Sequence, residues 1–180
     1  PTFINNDGAL FAYGEALGGL LPFVNGTLAA AGATRRFRNL LGFTFGTGFG
    51  GGLVIDGRLV LGDNSAAGQI CTLRHRDERQ RIAEEGVSIR AVQHSYAALA
   101  GVAQGSIPEP KEIAEIAAGN AAGDRDAARE TFRRLGQVAG DVRRNVMQQR
   151  VAPGERVLHE AAAPHRDPDH RAEVVPMGPQ

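Results

Sequence analysis

Five glycines stand within the seven residues "GTGFGGG", Gly46 to Gly52, between the apolar runs "LLGFTF" and "LVIDGRLVL". Residues without a Cβ let a backbone turn tightly and let other groups come close, so this stretch constrains the fold more than any other. Gly46, Gly48 and Gly51 satisfy G-x-G-x-x-G. A dinucleotide fold, however, needs a helix directly after the glycines, whose N-terminal dipole holds the pyrophosphate. A β-rich run follows instead, with Asp56-Gly57 as a two-residue hairpin signal, and nothing around residue 66 supplies a ribose-binding acid. Strand, glycine turn, strand leaves two readings. One is a cradle of backbone N–H groups for a phosphate; the other is a glycine-rich β-turn without a ligand.

The flanking sequence alternates in character. "PTFI" is a short apolar run, and "NNDG" reads as a turn or cap because Asn and Asp side chains accept from free helical amides. Leu10, Tyr13, Leu17, Leu20 and Leu21 recur at helical spacing, which predicts a helix over 8–21 that stops before Pro22. Past the hairpin, Ile89, Val92, Tyr96 and Leu99 share a face of a helix over 88–103. Pro110 opens a short helix that Gly119 ends. Asp124 caps a third, with Ala128, Phe132, Leu135, Ala139, Val142 and Val146 as its buried stripe. From Gln149 the chain is rich in Pro, Arg, His and Ala without a sustained period, so residues 149–180 read as an irregular, poorly ordered tail.

Charge and cysteine usage narrow the function classes. Twenty Lys plus Arg balance 20 Asp plus Glu, so no electrostatic footprint points to nucleic acid or to a membrane surface. The one cysteine, Cys71, cannot form an internal disulfide, and no apolar run reaches the roughly 18 residues of a membrane helix. No signal-peptide pattern precedes the first elements, which makes a cytoplasmic protein the expectation.

The order "NNDG", then "GTGFGGGLVIDGRLVLGDNSAAGQI", then "EEGVSIRAV" resembles the core of the ROK family, the bacterial sugar kinases and related repressors of the actin-like ATPase superfamily. The likeness runs from about Pro1 to Asn145, and is closest to members that carry "AEEGVSIRAV" where others have a zinc-binding cysteine cluster. It implies an α/β chain of the actin-like ATPase, or ribonuclease H-like, fold, with residues 1–148 as a partial kinase domain. The implied activity is ATP-dependent phosphorylation of a hexose or N-acetyl hexosamine, with Mg²⁺ as cofactor.

The resemblance also implies roles. Asp7, beside Asn6, stands where the family's general base accepts the proton of a sugar hydroxyl; by its residue type it could equally cap the following helix. Gly46, Thr47 and Gly48 match a phosphate loop, although Thr47 could make only a local turn hydrogen bond. Glu84 matches a sugar-binding glutamate, with Glu85 as the rival, and either could instead be a solvated acid at a helix start.

Departures from the pattern are as informative. Where the family has a sugar-binding Glu and His after A-A-G, this chain has Gln69 and Thr72, and Gln69 keeps an acceptor without the charge. Cys71 lacks a second cysteine and His75 alone cannot build a tetrahedral site, so no metal site is expected and His75 reads as a solvated loop residue. In the tail, His159, His165 and His170 are too irregularly spaced to suggest one. The family's opening D-x-G-G-T strand has no counterpart, and after "FRRLGQVAGDVRRN" the sequence leaves the family pattern. The 180-residue chain is therefore expected to be partial, with little kinase activity by itself. The alternatives are a non-catalytic, sugar-responsive module of a ROK transcriptional regulator, or an inactive remnant. Expected partners are a sugar and, as is common in the family, a second copy in a homodimer.

Overall fold

The computed structural model describes residues 5–148, except Arg76, Arg79 and the side chain of Gln104. The chain separates into two compact units, Pro1–Arg144 and Asn145–Gln180, and of the second only the last turn of a helix is described. The readings made for "PTFI" and for the tail with its three histidines lie outside the described residues.

Helix α1 (Asp7–Leu17) and helix α2 (Leu20–Ala30) lead into strands β1 (Leu40–Phe45), β2 (Phe49–Ile55) and β3 (Arg58–Leu59). The three strands form an antiparallel sheet in the order β1-β2-β3. Gly42 lies opposite Gly52, and Phe45 opposite Phe49. Asp56 and Gly57, both at positive φ, make the tight β2–β3 turn that Asp-Gly favours. A one-turn helix α3 (Glu84–Val87) is followed by α4 (Ile89–Ala100), α5 (Pro110–Ala118) and α6 (Arg125–Gln148). None of the described helices is long and apolar enough to cross a membrane.

The first helix differs from the expected one in length and in face. It stops at Leu17, and Pro22 sits in the first turn of α2, where its missing N–H leaves no helical bond unmade. The buried face of α1 is Gly8, Ala9, Ala12 and Ala16, while Leu10, Leu17 and Leu20 are half exposed. The cause is how closely α1 crosses the sheet. A Cβ at Gly42 would lie 2.8 Å from Ala12 Cβ, and one at Gly52 would lie 2.7 Å from Ala12 Cβ and 2.8 Å from Ala9 Cα. Small residues face glycines at this crossing, so the large apolar ones are turned outward. For the same reason β2 starts inside the glycine cluster: Gly50, Gly51 and Gly52 are strand residues, leaving only Gly46, Thr47 and Gly48 as the turn.

The helical half packs conventionally. Val92 and Tyr96 from α4, Ile113 and Ile116 from α5, and Ala127 and Ala128 from α6 form a buried cluster. Gly119 and Asp124 punctuate these helices as expected from the sequence, and Ser88 is a further cap. Ser88 accepts from the N–H of Ala91 at the start of α4, Gly119 is left-handed after α5, and Asp124 Oδ1 accepts from the N–H of Ala127 at 2.9 Å.

Candidate functional site

The turn between β1 and β2 forms the wall of a cleft of about 450 Å³, a size typical of small-molecule sites. Asn6, Asp7, Gly46, Thr47, Gly48, Gln69 and Glu84 all line it, so residues spread over nearly eighty positions of sequence share one cavity. Thr44, Phe45, Phe49, Gly50, Gly68 and Cys71 complete it.

Asn6 and Asp7 divide the work at the start of α1. Asn6 Oδ1 accepts from the N–H of Ala9 at 3.2 Å and is the helix cap. The alternative in which Asp7 caps is thereby corrected: Asp7 is the first helical residue, and its Oδ1 accepts only from the adjacent N–H of Gly8, at 2.8 Å. Its carboxylate is exposed at the cleft.

In the glycine turn, the Gly46 N–H donates to Gly48 O at 3.0 Å. Among the described residues, the N–H groups of Thr47 and Gly48 find no acceptor, and the Thr47 hydroxyl makes no hydrogen bond, so the local turn bond considered for it is absent. Neither Gly46 nor Gly48 has a positive φ, and a Cβ on Gly46 would meet nothing within 4 Å. Neither strain nor protein packing requires glycine at 46, whereas a ligand pressed against the backbone would.

Glu84 is separated from its rival, Glu85. Glu84 Oε2 accepts from the N–H of Phe49 at 3.0 Å. Glu85 lies outside this cleft: its Oε2 accepts from the N–H of Ile82 at 2.8 Å, and its Oε1 is 3.6 Å from Arg81. Gln69 is exposed, with the Cys71 thiol donating to its Oε1 at 3.5 Å, and Thr72 lies outside the cleft. The polar groups of the cleft are the carboxylates of Asp7 and Glu84, the side-chain amides of Asn6 and Gln69, the hydroxyls of Thr44 and Thr47 and free backbone N–H groups, with no Lys or Arg on the described walls. Among the described residues no group of three or more His, Cys, Asp or Glu side chains could hold a metal ion.

Two features escaped sequence reasoning. Phe45, half exposed at the cleft, stacks on Phe49 with ring centroids 5.3 Å apart, and Phe43 meets Phe49 edge-on at the same distance. The alternation of Phe43 and Phe45 along β1, with Phe49 beyond the turn, is the signal for that cluster. His75 is buried, which corrects its reading as a solvated residue. Its Nδ1 accepts from the N–H groups of Asp77 and Glu78, both at 3.3 Å, and its N–H and that of Ala83 bond Arg81 and Leu73 carbonyls. These hydrogen bonds close the loop between Leu73 and Ala83.

A sequence model of the ROK family matches residues 1–165. The structure superposes on glucokinase from Parabacteroides distasonis with TM-score 0.74 and 54% identity, over 79% of this chain and 39% of that one. A ROK family glucokinase from Streptomyces griseus, solved with glucose and AMPPNP, matches at TM-score 0.61 and 23% identity over 83% of this chain and 49% of that one. The chain thus spans less than half the length of both enzymes. Among curated protein sequences no match was found.

Proposed function

The chain belongs to the ROK family, with the actin-like ATPase fold, and on that footing we propose that its cleft is the sugar and phosphate end of an ATP-dependent sugar kinase. The observation that carries the reading is convergence. An exposed carboxylate at a helix start, two free N–H groups on a glycine turn and the acceptors of Gln69 and Glu84 meet in one cavity. The substrate would be a hexose or N-acetyl hexosamine. The Parabacteroides and Streptomyces relatives are glucokinases, and a further neighbour, from Listeria monocytogenes, is a candidate N-acetylmannosamine kinase.

In this reading Asp7 takes the proton of a sugar hydroxyl while that oxygen forms a bond to the γ-phosphorus of ATP, and the bond to the β-phosphate oxygen breaks to release ADP. The transition state is mostly spread charge, so positioning and electrostatic stabilisation dominate. The Thr47 and Gly48 N–H groups and the Thr47 hydroxyl would meet phosphate oxygens. Mg²⁺ would supply charge neutralisation on those oxygens. Gln69 accepts hydroxyl protons more weakly than a carboxylate, and so predicts modest sugar affinity.

Phosphoryl transfer from ATP to a panel of hexoses and N-acetyl hexosamines, followed as ADP formed, tests this with the natural full-length protein. Replacing Asp7→Asn should lower kcat by about 10²- to 10⁴-fold with little change in sugar KM. Unchanged kcat would remove Asp7 from its role. Thermal shifts separate the second class of function: stabilisation by a sugar with none by Mg²⁺-ADP would favour a sugar-responsive module over a kinase.

A further inference from the structure

Glu84 is the first residue of α3 and lines two clefts: the one described above and a second, of about 770 Å³, lined by residues of α3, α4 and α6 and of the loop before α3. Its Oε2 reaches across 35 residues of sequence to accept from the Phe49 N–H at 3.0 Å. On the other shoulder of the turn, the Gly46 carbonyl accepts from the Ile89 N–H at 2.9 Å. The segment from Glu84 to Ile89 therefore grips the glycine turn on both sides of Thr47. Gly48 allows this grip, because a Cβ there would stand 2.8 Å from Glu84 Oε2. Among the described residues, Glu84 Oε1 makes no hydrogen bond.

We propose that Glu84, which matches the family's sugar-binding glutamate, is in addition a positioning residue: its Oε2 holds the glycine turn in place for phosphate and so couples the turn to the sugar end of the site. The ligands in this statement rest on the sugar kinase reading; the hold on the turn does not. A carboxylate that accepts a backbone N–H makes one of the stronger hydrogen bonds available to a turn. Shifting that bond would displace Thr47 and Gly48 as well.

The test compares Glu84→Gln, Glu84→Ala and Gly48→Ala in the natural full-length protein, reading sugar KM, ATP KM and kcat, and amide hydrogen exchange at Phe49. Glu84→Ala should raise both KM values about ten-fold or more and speed exchange at Phe49 by a similar factor. In Glu84→Gln the amide oxygen still accepts from Phe49. Exchange and ATP KM should then stay within about three-fold of wild type while sugar KM rises. Gly48→Ala, which displaces the carboxylate without deleting it, should reproduce the exchange and ATP effects and serves where Glu84→Ala does not fold. A purely structural role would lower Tm and leave both KM values unmoved. Unchanged exchange at Phe49 in Glu84→Ala, or a rise in sugar KM alone, overturns the coupling. If the wild-type protein phosphorylates no sugar, the kinase reading fails, and the exchange experiment still decides whether Glu84 holds the turn.

Discussion

Where α4, α5 and α6 meet, Val92, Tyr96, Ile113 and Ile116 interlock around Ala127 and Ala128; where α1 crosses β1 and β2, Gly8, Ala9 and Ala12 lie on Gly42 and Gly52 with almost no side chain between them. The first region is stabilised by apolar area removed from water, a term that grows with side-chain size. The second gives up that term to bring two backbones together. It is also the region that carries Asn6 and Asp7 at one end of α1 and the glycine turn at one end of the hairpin. Stability and site geometry thus fall to different interfaces, and substitutions should separate them.

The largest expected effect is in the helical cluster. Ile113→Ala, at a fully buried position, should cost about 2–5 kcal/mol by urea unfolding. Ligand-induced thermal shifts should survive under conditions where the variant stays folded, and their loss would break the separation of roles. Gly52→Ala should cost about 1–3 kcal/mol, because its added Cβ would press on the Ala9 backbone and on Ala12 Cβ. It should nevertheless weaken sugar and nucleotide shifts more than Ile113→Ala does. Asp124→Ala removes the acceptor for the Ala127 N–H and should cost about 1 kcal/mol, measured the same way, without touching ligand binding.

The smallest effect concerns Glu130 on α6. Hydrogen bonds from Arg133 first, and then Arg134, lower its carboxyl from 4.5 to about 2. A depressed carboxyl stabilises the fold above its unfolded value and loses that contribution as pH falls through the folded one. The stability difference between wild type and Glu130→Gln should therefore hold above about pH 4.5, shrink below it and vanish near pH 2. The carboxylate is partly exposed, so the difference should also shrink with salt.

Legibility in the sequence followed the same division. The helices after residue 88, with Pro110, Gly119 and Asp124 at their ends, were readable because their stripes of large apolar residues point to the core they share. Apolar spacing misdirected the reading of α1. Leu10, Leu17 and Leu20 have helical spacing but lie on the open side, since only a glycine and alanine face fits against glycine strands. The positions of Asp7, Thr47, Gln69 and Glu84 along the chain were legible, but their meeting in one cleft was not, because it depends on long-range contacts such as Glu84 to Phe49. His75 was misread for the same reason: what buries it is Gly86, where a Cβ would stand 2.7 Å from the ring Nε2.

The glycine crossing also limits how this protein can vary. An aliphatic core can absorb a larger residue at one position by taking a smaller one opposite. At Gly42 and Gly52 the residue is already the smallest, so every replacement adds atoms, and the only adjustable neighbour on the helix is Ala12, whose Cβ faces both. An alanine at 42 meets mainly Ala12 and could be relieved by a glycine there, whereas an alanine at 52 also meets the fixed backbone of Ala9 and Gly8. Tolerance to substitution at this crossing therefore differs between two glycines that lie opposite each other in the sheet.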